Sequence, residues 1–326
     1  MKKKFVLCLS LIFLFINAYT LNRNIFSLKA DISSGLLNGL IQEYVFNENC
    51  LNTDNLQSRL DWQLKNIPYF ELNLDADFFK YYKLKLNGQI AVPKNSGVME
   101  DYDWLNSTGG LSGKNTEVLN DDPTELTNYS CSTNHLTKYY TFSAVLGGNI
   151  YLPNKMKLCP YTAFDYEYIF FDAYGGYKIY KEDNFEKEDI GEGKIISYTQ
   201  EFYSFMLGLT YESVIKDRFT ISADLKVSPK LTFCNNLDFH YGTGFVYWDN
   251  IKYMFLFKAK IDGLYNFNSH NSLGMSFSCS YLPLAKGTDY SNSISAFPGG
   301  IWSDTGAKSG ASYFKYSFSL NYRFTL

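Results

Sequence analysis

The chain is short of charge, proline and cysteine. Only 19% of its 326 residues are Asp, Glu, Lys or Arg, with 8 prolines and 6 cysteines. Beyond the N-terminus it lacks any apolar run of the roughly 18 residues that a membrane-spanning helix needs, which excludes a helical membrane protein. The cysteines stand at 8, 50, 131, 159, 234 and 279. They form no close pair, and five remain once a leader carrying Cys8 is removed, so neither a zinc site nor a full disulfide set is indicated. Aromatic rings are abundant instead: 27 Phe, 28 Tyr and 4 Trp make up 18% of the chain. Disordered chains are poor in such residues. Mean hydropathy is nevertheless slightly negative, at -0.21, which suits strands with one greasy and one polar face.

Residues 1–18 read as a secretory signal. Lys2, Lys3 and Lys4 supply the positive start, Phe5 to Ile16 the apolar core, and Ala18 the cleavage position. Residues 19–326 follow as one domain. Without the three lysines, 27 basic residues face 33 acidic ones, a net charge of -6. Nucleic acid is excluded as a partner on that balance.

Period-two alternation dominates the rest. Tyr203, Phe205, Leu207, Leu209 and Tyr211 lie on one side of a segment, with Ser204, Gly208 and Thr210 on the other. Near the C-terminus Phe314, Tyr316, Phe318, Leu320, Tyr322 and Phe324 alternate with Lys315, Ser317, Ser319, Asn321 and Arg323. An aromatic outer face repeated so often favours lipid contact. The pattern predicts ten strands, at 28–46, 57–78, 81–95, 138–152, 156–174, 196–213, 218–236, 245–266, 271–284 and 311–324. Short turns fall near Phe79–Lys80, Pro153–Lys155, Ile215–Asp217 and Phe267–Ser269. The other five connections are longer, the largest from Ser96 to Thr137. The expected fold is therefore all-β: a ten-stranded antiparallel transmembrane β-barrel with long extracellular loops, seated in a bacterial outer membrane as a monomer.

Strand parity nominates residues for chemistry. In the seventh strand the even positions Asp224, Lys226, Lys230, Thr232, Cys234 and Asn236 face the lumen, and the count continues to Asp238 and His240. In the third strand the inner side carries Lys83, Lys85, Asn87 and Gln89, and the same parity reaches Asp101 and Asp103. Residues two apart on a strand share a face at a spacing of about 6.6 Å. Two such pairs, from opposite walls of a narrow barrel, can meet across its mouth. A bulge in the intervening loop would reset the count, and each motif alone is short enough to occur by chance. His135 and His270 read as surface histidines near strand ends, and Trp62 and Trp248 as packing or girdle residues.

Met99-Glu100-Asp101-Tyr102-Asp103-Trp104 and Asp238-Phe239-His240-Tyr241 resemble the two active-site segments of the omptins, outer-membrane aspartyl-type endoproteases of Gram-negative bacteria. Further matches are Ala30-Asp31-Ile32-Ser33, Ser58-Arg59-Leu60-Asp61-Trp62 and Gly175-Gly176-Tyr177, in family order over nearly the whole chain after the leader. The resemblance implies a peptidase with its site at the outer rim of the barrel. Asp101 and Asp103 would form one side and the Asp238–His240 dyad the other, without a metal or other cofactor. His240 titrates near neutrality and would serve as base. Asp238 would fix its tautomer, while Asp101 and Asp103 would hold water and manage charge on the intermediate.

The family cleaves between basic residues, so polypeptides carrying them are the expected partners. Glu43, on the inner parity of the first strand, matches the acidic residue that receives the cation, and a second acidic position reads Asn236 here. The acidic residue expected beyond the scissile bond falls in the loop Ser107–Asp122. Characterised members also need lipopolysaccharide, gripped by arginines at positions that read Tyr168 and Glu201 here. Neither binds phosphate as Arg does, which puts dependence on that outer-membrane lipid in doubt. The rival readings are a silent barrel acting as adhesin or receptor through its loops, a metal held by the same carboxylates and imidazole, and a diffusion porin.

Overall fold

The computed structural model describes residues 26–47, 55–105, 125–216 and 218–326, and nearly all of them are extended. The leader, Cys50 and the Ser107–Asp122 loop lie outside the described residues. Ten long strands are present: β1 (Phe26–Phe46), β2 (Leu56–Phe78), β3 in two runs (Tyr82–Ala91 and Lys94–Asp103), β4 (Asn128–Gly148), β5 (Met156–Tyr180), β6 (Lys194–Ile215), β7 (Phe219–His240), β8 (Phe245–Asn266), β9 (Asn271–Lys286) and β10 (Lys308–Thr325). Each pairs antiparallel with its sequence neighbours. β10 pairs with β1 from Lys29↔Thr325 to Phe46↔Lys308, which closes the ring. Arg323 seals that seam, donating from Nε and Nη2 to the two carboxylate oxygens of Asp31 at 2.6 and 2.8 Å. Closure satisfies every strand edge, which lipid requires.

The tight turns expected from the sequence lie at one end. Phe79 and Lys80 have φ of 50° and 65°, and Asn154 and Lys155 have 60° and 58°. Left-handed backbone at both central residues matches the twist of tight hairpins. Above them runs an outward apolar band that includes the exposed Phe70, Phe142, Leu207, Leu225, Met275 and Phe318. This is the lipid-facing belt of a barrel.

Inside the belt the lumen is filled. Asp165 accepts from Lys226 at 2.7 Å, Lys258 at 2.8 Å and Ser143 at 2.6 Å. Lys83 is paired with Asp75 at 2.7 Å, Lys260 with Glu71 at 3.1 Å, and Lys315 with Glu167. The space left among these groups is a cavity of about 200 Å³. Above the ion pairs lies an apolar layer of buried Ile41, Trp62, Met99, Phe171, Tyr198 and Tyr313. The Trp62 ring stacks on Phe171 and Tyr198, each at 5.4 Å between centroids. A charged plug beneath an apolar floor is a poor conduit, so the porin reading loses its physical basis.

The structure corrects the expected boundaries where the strands rise beyond the belt. The third strand does not end at Asn95. It breaks at Val92–Pro93 and resumes to Asp103, and β4 begins at Asn128 rather than Lys138. Pro93 cannot donate to the ladder, which accounts for the break. β7 likewise continues through His240, leaving only Tyr241–Gly244 as its turn into β8. Lys230 does not face the lumen. A shift between Ser228 and Thr232 and a left-handed φ of 61° turn it out over Phe255, 5.7 Å from the ring centroid.

The plug generates a test. Asp165→Ala leaves two lysines without their shared carboxylate, and removing one partner of a buried ion network costs about 3–5 kcal/mol. We expect a correspondingly lower guanidinium midpoint for the refolded barrel. A loss below about 1 kcal/mol would show the plug to be no stronger than a surface ion pair.

Candidate active site

Both candidate pairs are strand residues, which gives them fixed directions. In the upper run of β3, Asp101 pairs with Leu60 and Asp103 with Ser58 of β2. Despite the break at Pro93 and a bulge between Asn95 and Gly97, the odd positions face inward again from the buried Met99 onward. Ser58 Oγ donates to Asp101 Oδ1 at 3.5 Å and also hydrogen-bonds Asp103. On the opposite wall, Asp238 of β7 is paired with Tyr198 of β6 and Tyr247 of β8. His240 Nε2 meets Asp238 Oδ2, leaving Nδ1 as the ring atom not engaged by this carboxylate. The Tyr247 ring supports the imidazole edge-on, with centroids 5.3 Å apart at 83°. The structure therefore brings Asp101, Asp103, Asp238 and His240 together above the apolar floor. Each acid of the β3 pair acts electrostatically on the imidazole across the mouth.

Glu43 of β1 is in the same pit, 3% exposed, and Asn236 is fully buried below Asp238. Two further carboxylates, which the sequence reading passed over, complete the group. Asp249 of β8 sits opposite Asn236 in the β7–β8 register, and Asn236 Nδ2 donates to Asp249 Oδ2 at 3.3 Å. Asp289, on the short strand Thr288–Ser293 that follows β9, sits opposite Asp249. A signal was available: the four-residue turn fixes the β7–β8 register, and counting back from it puts Asp249 beside Asn236. Among the described residues, no three His, Cys, Asp or Glu side chains are arranged to hold a metal ion.

All these groups lie beyond the belt, and burial governs their ionisation. Burial first, and then the charges of Asp103 and Asp238, hold Asp101 well above the ordinary carboxylate range. Burial raises Asp103 to about 6, against the hydrogen bond from Ser58 and the attraction of His240. Glu43 is raised well above its usual value by burial and then by Asp238, Asp249, Asp289 and Asp101. Asp249 is raised by burial and Asp289, and Asp289 reaches about 6 through burial. For His240, burial works to lower the value. The charge and hydrogen bond of Asp238, with Asp101 and Asp103 behind them, prevail and lift it to about 9.

The comparisons agree with this architecture. The model of the omptin family matches residues 24–326. The chain belongs to the omptin family. The crystal structure of the outer-membrane protease OmpT from Escherichia coli superposes with a TM-score of 0.79 at 20% identity, covering 92% of this chain and 97% of that one. The plasminogen activator of Yersinia pestis is 31% identical over 74 residues, so the match spans 23% of this chain and 23% of that protein's length.

On the outer face of this omptin, Tyr168 and Glu201 stand at the two positions for which the family resemblance implies arginine. Tyr168 and Glu201 are register partners on β5 and β6. Tyr168 stacks on Tyr140 with centroids 5.0 Å apart, and Tyr166 donates to Glu201 at 2.6 Å.

The pit sets the sign of stability against pH. Its raised carboxyls keep protons that the unfolded chain has already released above about pH 4. His240 keeps one between 6.5 and about 9. The folded omptin thus binds more protons than the unfolded chain across this range, and stability falls as pH rises. We expect the thermal midpoint of the refolded barrel to decrease steadily from pH 5 to pH 9. A midpoint that climbs over that interval contradicts the burial of these groups.

Proposed function

We propose that this omptin is an outer-membrane endopeptidase that hydrolyses peptide bonds next to or between basic residues, with its active site facing the exterior. The observation that carries the reading is the convergence of Asp101, Asp103 and the Asp238–His240 dyad over an apolar floor in a chain of this family. In this mechanism His240 takes a proton from water at Nδ1, and Asp238 holds the ring at Nε2 and stabilises the imidazolium that forms. Asp101 and Asp103 hold the attacking water from the opposite wall. One of them remains protonated in the crowded pit and donates to the oxyanion of the tetrahedral intermediate. The protonated imidazole then passes its proton to the leaving amine. Asp101, Asp103, Asp238 and His240 are the catalytic residues on this reading, and Glu43 and Asn236 line the subsite for a basic side chain.

The charge of the pit gives the substrate a second role. In the free barrel three carboxylates keep His240 protonated up to about pH 9, a form that cannot act as base. A cationic side chain entering beside Glu43 offsets that field and lowers the pKa of His240, so binding a basic peptide helps to free the base.

The test is cleavage of a quenched fluorescent peptide carrying Arg-Arg by the refolded protein. His240→Ala and Asp238→Ala should each lower kcat by about 10²–10⁴-fold. Undiminished cleavage by either variant overturns the mechanism, and a wild type that cleaves none of a mixed peptide library favours the adhesin reading. The rising limb of kcat/KM should have its midpoint near the free-enzyme value for His240, about 9, and the limb of kcat should lie at lower pH. Coincident limbs would remove the substrate's part in freeing the base.

We also propose that activity does not depend on lipopolysaccharide, because Tyr168 and Glu201 offer no cation to its phosphates. Rates in detergent should be unchanged when the lipid is added. A large increase on addition would locate its site elsewhere on the barrel.

A further inference from the structure

The peptidase reading leaves two buried acids without work. Asp249 and Asp289 are each 4% exposed, they belong to neither catalytic pair, and they face one another across the ladder as register partners. Carboxyls opposed in this way repel, which disfavours ionising both unless a cation intervenes. Asp249 is further held by Asn236 and by Ser309, and Asp289 Oδ2 accepts from Thr305 Oγ1 at 2.7 Å. These are fixed acceptors, then, and not mobile loop acids.

Their neighbour indicates what is missing. Glu43 is 3% exposed, and its Oε2 has no hydrogen-bond partner among the described residues. Asp289 Oδ1 is likewise buried and unpartnered. The charged groups acting most strongly on Glu43 are all carboxylates, with Asp249 and Asp289 among them. An orphaned carboxylate oxygen in a dry site costs free energy comparable to a lost charged hydrogen bond. Lower in the same lumen, every cluster described above has its lysine, as Asp165 does. Here, among the described residues, acceptors come from three walls and the charges acting most strongly on Glu43 include no lysine or arginine.

We propose that Asp249 and Asp289, together with Glu43, form the pocket that receives the cationic side chain of the substrate, and that they set this enzyme's requirement for a positive charge. The inference rests on the peptidase reading and deepens it, because it moves the charge of the subsite off β7, where position 236 is a neutral Asn, onto β8 and the strand after β9. The occupant is a guanidinium or ammonium group of a peptide. Its N–H donors meet the free oxygens of Glu43 and Asp289, and its charge allows both acids of the pair to ionise. Asn236 has a positioning part, since its amide holds Asp249 Oδ2.

The experiment compares two peptides that differ in one residue, arginine or its uncharged isostere citrulline. Equilibrium binding is followed by fluorescence anisotropy and cleavage by kcat and KM, for the wild type, Asp249→Asn, Asp289→Asn and the exchange variant Asn236→Asp/Asp249→Asn. The wild type should favour arginine in binding and in KM. Each single variant should lower that preference by about 10-fold or more with kcat little changed, because truncating one partner of a buried charge pair carries a penalty of this order. The exchange variant returns a carboxylate to the same hydrogen-bonded position from the other strand, so it should recover the preference; it also keeps the net charge should a single variant fold poorly. An arginine preference unaltered in both single variants, or absent from the wild type, overturns the proposal. If peptides are cleaved but the preference ignores Asp249 and Asp289, this pocket falls and the peptidase reading stands. If nothing is cleaved but arginine binding still depends on Asp249, the pocket stands and the peptidase reading falls.

Discussion

The organisation of this barrel follows from one constraint: six carboxyl groups and a single imidazole share one pit above an apolar floor. Beneath them the stacked Trp62, Phe171 and Tyr198 exclude solvent, and around them strand backbone fixes each side chain in direction. Carboxylates in such a place repel one another too strongly for all to be ionised, so the free protein holds protons there. The crowding is costly to the fold and is what gives the site its chemistry. A protonated acid beside an ionised one supplies both donor and acceptor, the combination that acid–base hydrolysis needs.

Belt and pit make opposite demands on the same strands. In lipid the strands alternate strictly, and lumen charges are paired within a dense plug, Lys226 and Lys258 on Asp165 being the plainest case. Above the belt the ladders are irregular. Left-handed residues occur at Asn66 of β2, Gly97 of β3, Lys230 of β7 and Tyr253 of β8, on the strands that carry or brace the two candidate pairs. A bulge adds twist and re-aims the side chains beyond it. Gly176 belongs to the same set: its φ is +103°, and a Cβ there would stand 2.0 Å from the carbonyl oxygen of Cys131. Only glycine lets β5 pass β4 so closely, which gives a physical reason for the Gly175-Gly176-Tyr177 motif.

How much of this was legible in the sequence depends on how far each feature lies from the regular belt. The ten strands and the four tight turns were readable because lipid enforces period two over long runs. The inward direction of Asp101 and Asp103 was also readable, although on parity carried across a break that the count did not contain. Lys230 shows the limit of the same method: an even count was carried straight through Pro229, which cannot join a ladder and marks the place where the chain skips. The third strand failed differently: the count ran through Pro93 and stopped at Asn95, whereas the ladder breaks at Val92–Pro93 and resumes to Asp103. Asp249 and Asp289 were passed over because their place depends on pairings between strands, which a count along one strand does not see.

That last omission bears on how the site is to be understood. Judged position by position, replacement of an acid by Asn236 on β7 looks like a weakening of the subsite. In three dimensions Asn236 lies across a ladder from Asp249, hydrogen-bonded to it, with Asp289 one strand further on. On the proposed reading, the negative charge of the subsite is carried by the strands beside β7 rather than by β7 itself. For a field that a cation feels over several ångströms in a poorly screened site, which strand carries the carboxylate matters less than how many converge. Exact hydrogen-bond geometry is another matter, and there Asn236 contributes as a donor what it lacks as a charge. On this view the dyad and the β3 acids fix what reaction can occur, while β8 and the strand after β9 decide which side chain is admitted beside it.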